Sequence, residues 1–500
     1  MLRVCAILGF GALCASDVIG QNTFNIVYNY TIAQGWPDAG GGAGVSVWPS
    51  DSGYLVFSNQ VATGGYTKIF THRFNSSGQA LGDIELFGPI PQNYNYGYAA
   101  PVDVHADFAL SGIAEFDISN DSTNRLLIAR YAPNGDTLST HIVFDSCFCG
   151  PLQSRSAWGG RLLMPGFIAY GGALFMADTS GQLVWQRTYP DTRLALAVEP
   201  LEDSSIVMAG SRASGIDNGV WVMRLDSAGN TIWRRDLGGS RFAYKNVSAL
   251  QTQDGSIVAT CSYMPLPGGP NDPQWNYFRK WDINGNVQWS KQYNEQPETT
   301  TYDLEELGTG DLVACGAESS TPIANHGLLM KLQPDGDLLW LRRYTYYNNT
   351  SAIHTPYDVE TTSDGGFVMA GRAIQGSSDS LPGLSMVWLL KVDSMGCLVP
   401  GCGNIGVEEI ALGLENALRV YPNPTHGAMQ VELNLPDDLH VQGALQLVVV
   451  DALGRQVLAE AVDRTASTVR LDLSGTPAGM YYFHLRDDVR WLSGTQLVLE

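Results

Sequence analysis

Basic residues are scarce in this 500-residue chain, where 29 Lys and Arg stand against 50 Asp and Glu for a formal charge of -21. Binding to a phosphate backbone needs a basic face that displaces counterions, so the shortage argues against nucleic acid, and against any polyanion that no metal bridges. Charged residues of both signs make up only 16% of the chain and hydrophobic ones 44%. That balance excludes a disordered chain and predicts a folded one. Long apolar runs are missing too: beyond the first residues none approaches the roughly 20 that a membrane-spanning helix needs, so no transmembrane segment is expected. No stretch has the period of a long amphipathic helix, and strands with Gly-rich turns predict an all-β protein. Catalytic signatures are equally lacking. There is no G-x-S-x-G elbow, no H-E-x-x-H and no phosphate-binding loop, so no catalytic residue is nominated. His and Cys do not pair at zinc spacing, and neither a metal nor another cofactor is expected.

The first residues differ from the rest of the chain. Arg3 precedes the apolar run Val4 to Ala15, and Val18-Ile19-Gly20 stand before Gln21, the pattern of a secretory signal peptide over residues 1–20. Its removal takes Cys5 and Cys14 away and leaves Cys147, Cys149, Cys261, Cys315, Cys397 and Cys402 in an export route that permits disulfides. Cys397 and Cys402 bracket the Pro-Gly turn of "CLVPGC" and are the predicted pair, whereas Cys147 and Cys149 are too close in sequence to join without strain.

A phrase recurs along residues 21–403: "MADTSGQLVWQRTY" from Met176, "RLDSAGNTIWRRDL" from Arg224, "KWDINGNVQWSKQY" from Lys280 and "KLQPDGDLLWLRRY" from Lys331. Each is a strand, a polar turn whose Gly takes positive φ, and a strand with Trp at a fixed place. Weaker copies start at Arg73, Arg130 and Lys391. A second phrase, a turn leading into a fully apolar run, precedes many copies, as in "LEDSSIVMAG" and "LGTGDLVACG". About seven copies at a spacing of roughly 45 to 60 residues predict a β-propeller of about seven four-stranded blades. Trp185, Trp233, Trp289 and Trp340 are expected to pack between neighbouring blades. The last copy stops early, which would leave an open edge on its blade. The strand "TFNIVYNYT" (Thr23 to Thr31) is expected to close the ring there, against the blade near Tyr357 to Val392.

One stretch suggests a ligand site. In "NYNYGYAAPVDVHADF", Tyr94, Tyr96 and Tyr98 alternate, and so do Asp103, His105 and Asp107, so an extended chain would set each trio on one side. Aromatic rows stack on sugar rings, and an Asp-His-Asp row can hold a divalent cation. An exposed loop followed by a strand with a solvated face would show the same pattern.

After the connector at 404–418 come segments of short alternating strands, such as Val469 to Leu473, that predict a small Ig-like β-sandwich over 419–500. Val420-Tyr421-Pro422-Asn423-Pro424-Thr425 with Gly427, the turn Asp451 to Arg455, Leu471-Asp472-Leu473-Ser474 with Pro477-Ala478-Gly479-Met480-Tyr481, and the closing Leu497-Val498-Leu499 resemble the type A C-terminal sorting domain of the type IX secretion system of Bacteroidetes. The chain departs from that family in lacking a basic residue just before its last apolar strand, where Gly494-Thr495-Gln496 stand. The resemblance implies Sec export followed by type IX export to the cell surface or beyond. It also implies two partners, the translocon and a sortase-like processing enzyme. Pro422, Asn423 and Pro424 become a rigid lead-in, Gly427, Gly454 and Gly479 turn residues, and Tyr481 part of the motif.

The cargo's own function is less legible. "RLDSAGNTIW" looks like the phrase of quinoprotein dehydrogenases, but Asp226 and Gly229 stand one residue closer than in that family, and two residues separate them where a sialidase Asp-box has one. A surface scaffold binding polysaccharide or protein is therefore the leading expectation, and a quinone-dependent or glycan-active propeller enzyme the alternative. Carboxylates and arginines converging on the propeller axis would favour the enzyme, and a scattered polar axis the binder.

Overall fold

The computed structural model describes residues 23–28, 41–50, 53–61, 67–85, 93–95, 103–104, 109–116, 124–147, 149–151, 154–168, 171–178, 180, 182–212, 219–239, 247–263, 274–296, 298–319, 325–347, 351–375, 385–398, 408–409, 417–435, 443–451, 456–486 and 490–500. The expected leader at 1–20 lies outside them.

Seven blades follow one another among the described residues. The first runs Gly41–Ser50, Gly53–Val61, Thr67–Asn75 and Ala80–Glu85, each strand antiparallel to the next. The fourth (Leu194–Pro200 to Thr231–Gly239), the fifth (Val247–Gln251 to Val287–Gln296) and the sixth (Glu298–Glu306 to Leu338–Tyr344) repeat this order. In the second and third blades the innermost strand is in two pieces, Asn93–Asn95 with Asp103–Val104 and Cys149–Pro151 with Arg155–Ala157. The seventh has three strands of its own, Ile353–Thr361, Phe367–Ile374 and Ser385–Val392, and takes its fourth, Phe24–Tyr28, from the other end of the chain. The ring therefore closes as its sequence predicts, with Phe24 opposite Lys391 and Tyr28 opposite Val387.

The recurring phrase has a physical reason at each position. Asp226 Oδ1 accepts the backbone N–H groups of Ala228 and Asn230 at 2.9 and 2.8 Å, and Gly229 turns the chain at φ 80°. The same wrap repeats at Asp282, from Asn284 and Asn286. On the outer strand, Trp and the Tyr four residues on grip the turn of the next blade. Trp233 donates to Ile283 O at 3.0 Å and Trp289 to Pro334 O at 3.2 Å, while Tyr189 donates to Gly229 O at 2.9 Å and Tyr344 to Gly396 O at 2.6 Å. The basic residue on the third strand pairs with the acid of its own blade's inner turn: Lys280 with Asp254 at 2.7 Å, Lys331 with Asp311 at 3.0 Å and Lys391 with Asp364 at 3.0 Å.

The tail is a sandwich of a three-stranded sheet (Leu418–Tyr421, Ala428–Leu433, Thr468–Asp472) and a five-stranded one whose order is Glu408–Glu409, Arg490–Leu499, Gly479–Arg486, Leu445–Asp451 and Gln456–Val462. Its core gathers Val431, Leu447, Val449, Phe483, Leu485 and Leu497 from both sheets. Ala417 and Leu418 are buried in that core, and Glu408–Glu409 joins a sheet edge, so part of the expected connector is structured.

Candidate functional site

One side chain from the inner strand of each of six blades stands at the same level of the ring. Trp48 is opposite Leu55, Ser156 opposite Leu162, Glu199 opposite Val207, Leu250 opposite Val258, Glu305 opposite Val313 and Glu360 opposite Val368. All six line one cavity of about 670 Å³ where the inner strands end, together with Arg155, Gln251, Gln253 and Glu306. Repetition of the blade puts these groups on the axis without any local motif.

Below this level, acids staple neighbouring blades. The inner strands of the first, fourth, sixth and seventh blades each carry an irregularity in pairing, at Gly44/Ser46, Ala195/Ala197, Thr301/Asp303 and Pro356/Asp358. Buried Asp303 accepts the N–H of Val359 at 3.3 Å, and buried Asp358 accepts that of Val47 at 2.7 Å. Each carboxyl thus reaches one blade onward.

The electrostatics are those of crowded carboxyls with little compensation. Arg155 is the one cation among the described lining residues, and its Nε lies 3.7 Å from Glu199 Oε2. Burial pushes the Glu305 carboxyl up to about 8, with Asp303 and Glu199 adding to the rise and Arg155 opposing it. Burial likewise holds Glu360 and Asp358 well above the ordinary carboxyl range, reinforced by Glu305 and Asp303. Neither Glu305 nor Glu360 has a hydrogen-bond or ion-pair partner among the described residues. Neutral carboxyls can donate a hydrogen bond, and an incoming cation would ionise them. No group of three His, Cys, Asp or Glu side chains among the described residues is placed to hold a metal ion.

A second constellation has the connectivity of a hydrolytic triad. Ser58 Oγ lies 2.6 Å from His72 Nε2, and His72 Nδ1 lies 2.7 Å from Asp83 Oδ1. Ser58 and His72 are wholly buried, Phe70 stacks on the imidazole, and Tyr28 donates to Asp83 Oδ2 at 2.7 Å. Burial alone would raise the Asp83 carboxyl, but hydrogen bonds from His72 and Tyr28 and the charges of His72 and Arg73 bring it below its ordinary value. Ser58 is wholly buried, and the chain of bonds ties the first blade to the N-terminal strand.

In the stretch that holds the tyrosine and Asp-His-Asp rows, Asn93–Asn95 pairs with Ala114 to Phe116, and Asp103–Val104 with Ala109 and Leu110. Tyr94 and Asp103 sit in those two pieces, and Tyr96, Tyr98, His105 and Asp107 lie outside the described residues. Cys397 is disulfide-bonded, with Cys402 outside the described residues. Cys261 and Cys315 are free and buried. The axial carboxylates escaped the sequence reading, although one signal was available: an acid stands eight residues ahead of the Val in three of the apolar runs, at Glu199, Glu305 and Glu360.

In the tail, Asn423 works as a clamp on the last strand. Its Nδ2 donates to Gln496 O at 2.9 Å and its Oδ1 accepts from Val498 N at 3.0 Å, one amide supplying both halves of a ladder rung. Pro422 and Pro424 flank it with cis peptide bonds. Gly427 has φ 133°, and a Cβ there would fall 2.4 Å from Ser474 Oγ. Gly479 opens a strand at φ 156°, and buried Tyr481 donates to Pro477 O at 2.5 Å. Gly454 lies outside the described residues. Residues 419–499 match the family described as the secretion system C-terminal sorting domain. This chain carries the sorting tail of a type IX secretion cargo. The cargo in front of that tail is a β-propeller, and export takes it to the cell surface or outside the cell. Among the described residues no helix is long and apolar enough to cross a membrane.

No curated protein matches the type IX cargo along its sequence. Among solved structures it is similar to the α-L-arabinofuranosidase of Fusarium graminearum (9% identity, covering 74% of this chain and 98% of that one, TM-score 0.39). It is also similar to Sqt1 of Chaetomium thermophilum (9%, 69% and 96%, TM-score 0.39) and to a protein of unknown function from Bacteroides caccae (11%, 56% and 90%, TM-score 0.34). Likeness at these scores does not bear on function.

Proposed function

We propose that the mature protein is a surface or released binding scaffold, and that its axial cavity takes a positively charged organic group presented by an amino-bearing polysaccharide or by a protein. The observation that carries this reading is the collar of Glu199, Glu305, Glu306 and Glu360 around one cavity with Arg155 as its described cation. An ammonium or guanidinium entering the cavity would stabilise the ionised form of carboxyls that crowd there with Arg155 as their described counter-charge, and the low-dielectric walls would strengthen the attraction. Trp48 and Leu250 offer apolar surface for the body of such a ligand, and Gln251 and Gln253 offer amides for its hydroxyls. The translocon and a sortase-like enzyme are the proposed partners of the tail, and the Cys397–Cys402 bond the proposed staple at the propeller's end. Residues 1–20 are the proposed leader.

A second reading is a glycan hydrolase. Carboxylates do converge on the axis, as an enzyme would need, but with one described arginine, Arg155, in place of several; a carboxyl raised to about 8 beside other acids has the character of a general acid. A thermal-shift screen of the mature chain against chitosan oligomers, their acetylated counterparts and polylysine, each followed for cleavage, separates the two. Saturating ligand at about 100 times its dissociation constant should add about 2.7 kcal/mol. Stabilisation by the cationic probes without turnover supports the scaffold, and cleavage of any glycan supports the hydrolase. Stabilisation by neutral and cationic probes alike contradicts the charge-based reading.

A further inference from the structure

The five-stranded sheet of the tail is apolar on both faces. Along Leu445–Asp451 the side chains alternate, with Leu447 and Val449 in the sandwich core and Val448 and Val450 on the outside, and along Gly479–Arg486 Tyr481 and Phe483 face in while Tyr482 faces out. An antiparallel sheet of a sandwich ordinarily leaves its outer face to water. Here Val448, Val450 and Tyr482 are buried, in a cluster whose remaining buried member is Cys397 of the propeller.

Cys397 closes the last turn of the seventh blade. Asp393 Oδ1 accepts the N–H groups of Met395 and Cys397 at 2.8 Å, and Gly396 O accepts the hydroxyl of Tyr344 in the sixth blade. The turn also touches the seam where the ring closes: Thr23 donates to Leu398 O, and Phe24–Tyr28 pairs with Ser385–Val392, the strand that leads into the turn. Glu408–Glu409 runs beside Leu338–Tyr344 of the sixth blade and pairs with Arg490 and Trp491, which continues the contact.

We propose that the outer face of this sheet is a cargo-docking surface, that its occupant is the Asp393–Cys397 turn, and that the turn is held in docking geometry only when the N-terminal strand has closed the ring. The sorting tail would then be seated on a finished propeller and released from an open one. Because the linkage is thermodynamic it runs both ways, and a docked tail favours ring closure.

Hydroxyl-radical footprinting of the chain from Gln21 to Glu500, sorting tail included, tests this, reading adjacent residues that face opposite ways. Val27→Pro puts a residue with a fixed φ and no backbone donor into the N-terminal strand, opposite Trp388. Oxidation of Tyr482 and Met480 should rise at least about fivefold, with Tyr481 in the sandwich core unchanged as an internal control. Faster oxidation of Trp388 shows that the strand has let go, and if Trp388 stays protected, a chain that begins after Tyr28 takes the variant's place. Release of the strand with Tyr482 unmoved overturns the proposal. In the reverse direction Val448→Asp should expose Tyr482 and raise oxidation of Trp388. Should Tyr481 become exposed as well, the sandwich has opened, and Val450→Thr is read instead for a smaller change of the same sign. A surface variant that exposes Tyr482 and leaves Trp388 as it was removes the coupling from the account.

Discussion

Phe24 lies against Gly78 so closely that a Cβ on the glycine would fall 2.9 Å from the ring, the relationship that Trp289 has with Gly336 and Trp340 with Gly396. The chain's first described strand therefore supplies to the seventh blade the ring contact that Trp289 supplies to the fifth and Trp340 to the sixth. Phe24 and Tyr28 are four residues apart, as are Trp289 and Tyr293. The order of blades in sequence and in space is the same except at this seam.

Glycine at the turns answers two separate demands. Gly336 has φ 86° and a Cβ there would meet Trp289 at 3.0 Å, whereas Gly255 has φ 79° with nothing within 4 Å. Gly255→Ala should cost about 1–2 kcal/mol from the left-handed backbone alone. Gly336→Ala should cost more, because the indole must also shift. Urea unfolding of the two variants checks the order, and equal losses would show that the indole contact carries no energy.

The axial acids give stability an unusual pH dependence. Glu305 titrates near 8 when folded, against roughly 4.3 for an exposed Glu. The folded state therefore holds a proton that the unfolded state has lost, so this contribution is full below about pH 4 and disappears as pH rises through 8. Asp358 and Glu360 act with the same sign. His354 works in the other direction: burial lowers it to about 4 while it accepts the N–H of Tyr347, so its contribution disappears as pH falls from 6.5 through 4. Glu305→Gln should leave the pH 5 midpoint nearly unchanged and raise that at pH 8.5. Thermal melts at both values check it.

Ser58 should be chemically silent. A serine-directed fluorophosphonate is expected not to label the folded protein, because Ser58 is wholly buried. Ser58→Ala leaves His72 short of a buried partner and should cost about 1–3 kcal/mol in unfolding free energy. Labelling of the native protein at Ser58 would show that the triad is reachable after all.

Asn423 can be separated from its prolines by one atom. Asn423→Asp keeps the acceptor for Val498 N and turns the donor facing Gln496 O into a second acceptor. Loss of the charge-free rung should speed amide exchange along Arg490–Leu499 by at least about tenfold, leaving the three-stranded sheet protected. Unchanged exchange would mean that Pro422 and Pro424 alone hold the strand.

Legibility in the sequence followed distance along the chain. The Asp-to-Gly turn and the Trp after it lie within one hairpin, so their chemistry shows as a phrase, and even the missing fourth strand of the seventh blade could be matched to Phe24–Tyr28 by its aromatic and β-branched residues. The axial collar could not be read that way. Glu199, Glu305 and Glu360 are joined only by the ring, and each looks locally like a polar residue at a strand end. The tyrosine and Asp-His-Asp rows show the opposite limit, because strict alternation in sequence implies one face only along a single strand, and Tyr94 and Asp103 belong to two separate short strands, Asn93–Asn95 and Asp103–Val104.

The central claim is that the axial collar takes an organic cation. Calorimetric titration of the mature chain with a chitosan hexamer at pH 7, in two buffers of different ionisation enthalpy, tests it most directly. The account predicts binding whose heat changes with the buffer, because the cation drives the proton off Glu305, and predicts that Glu305→Gln abolishes the buffer dependence. Binding with the same heat in both buffers, or equal binding of the fully acetylated hexamer, would contradict it.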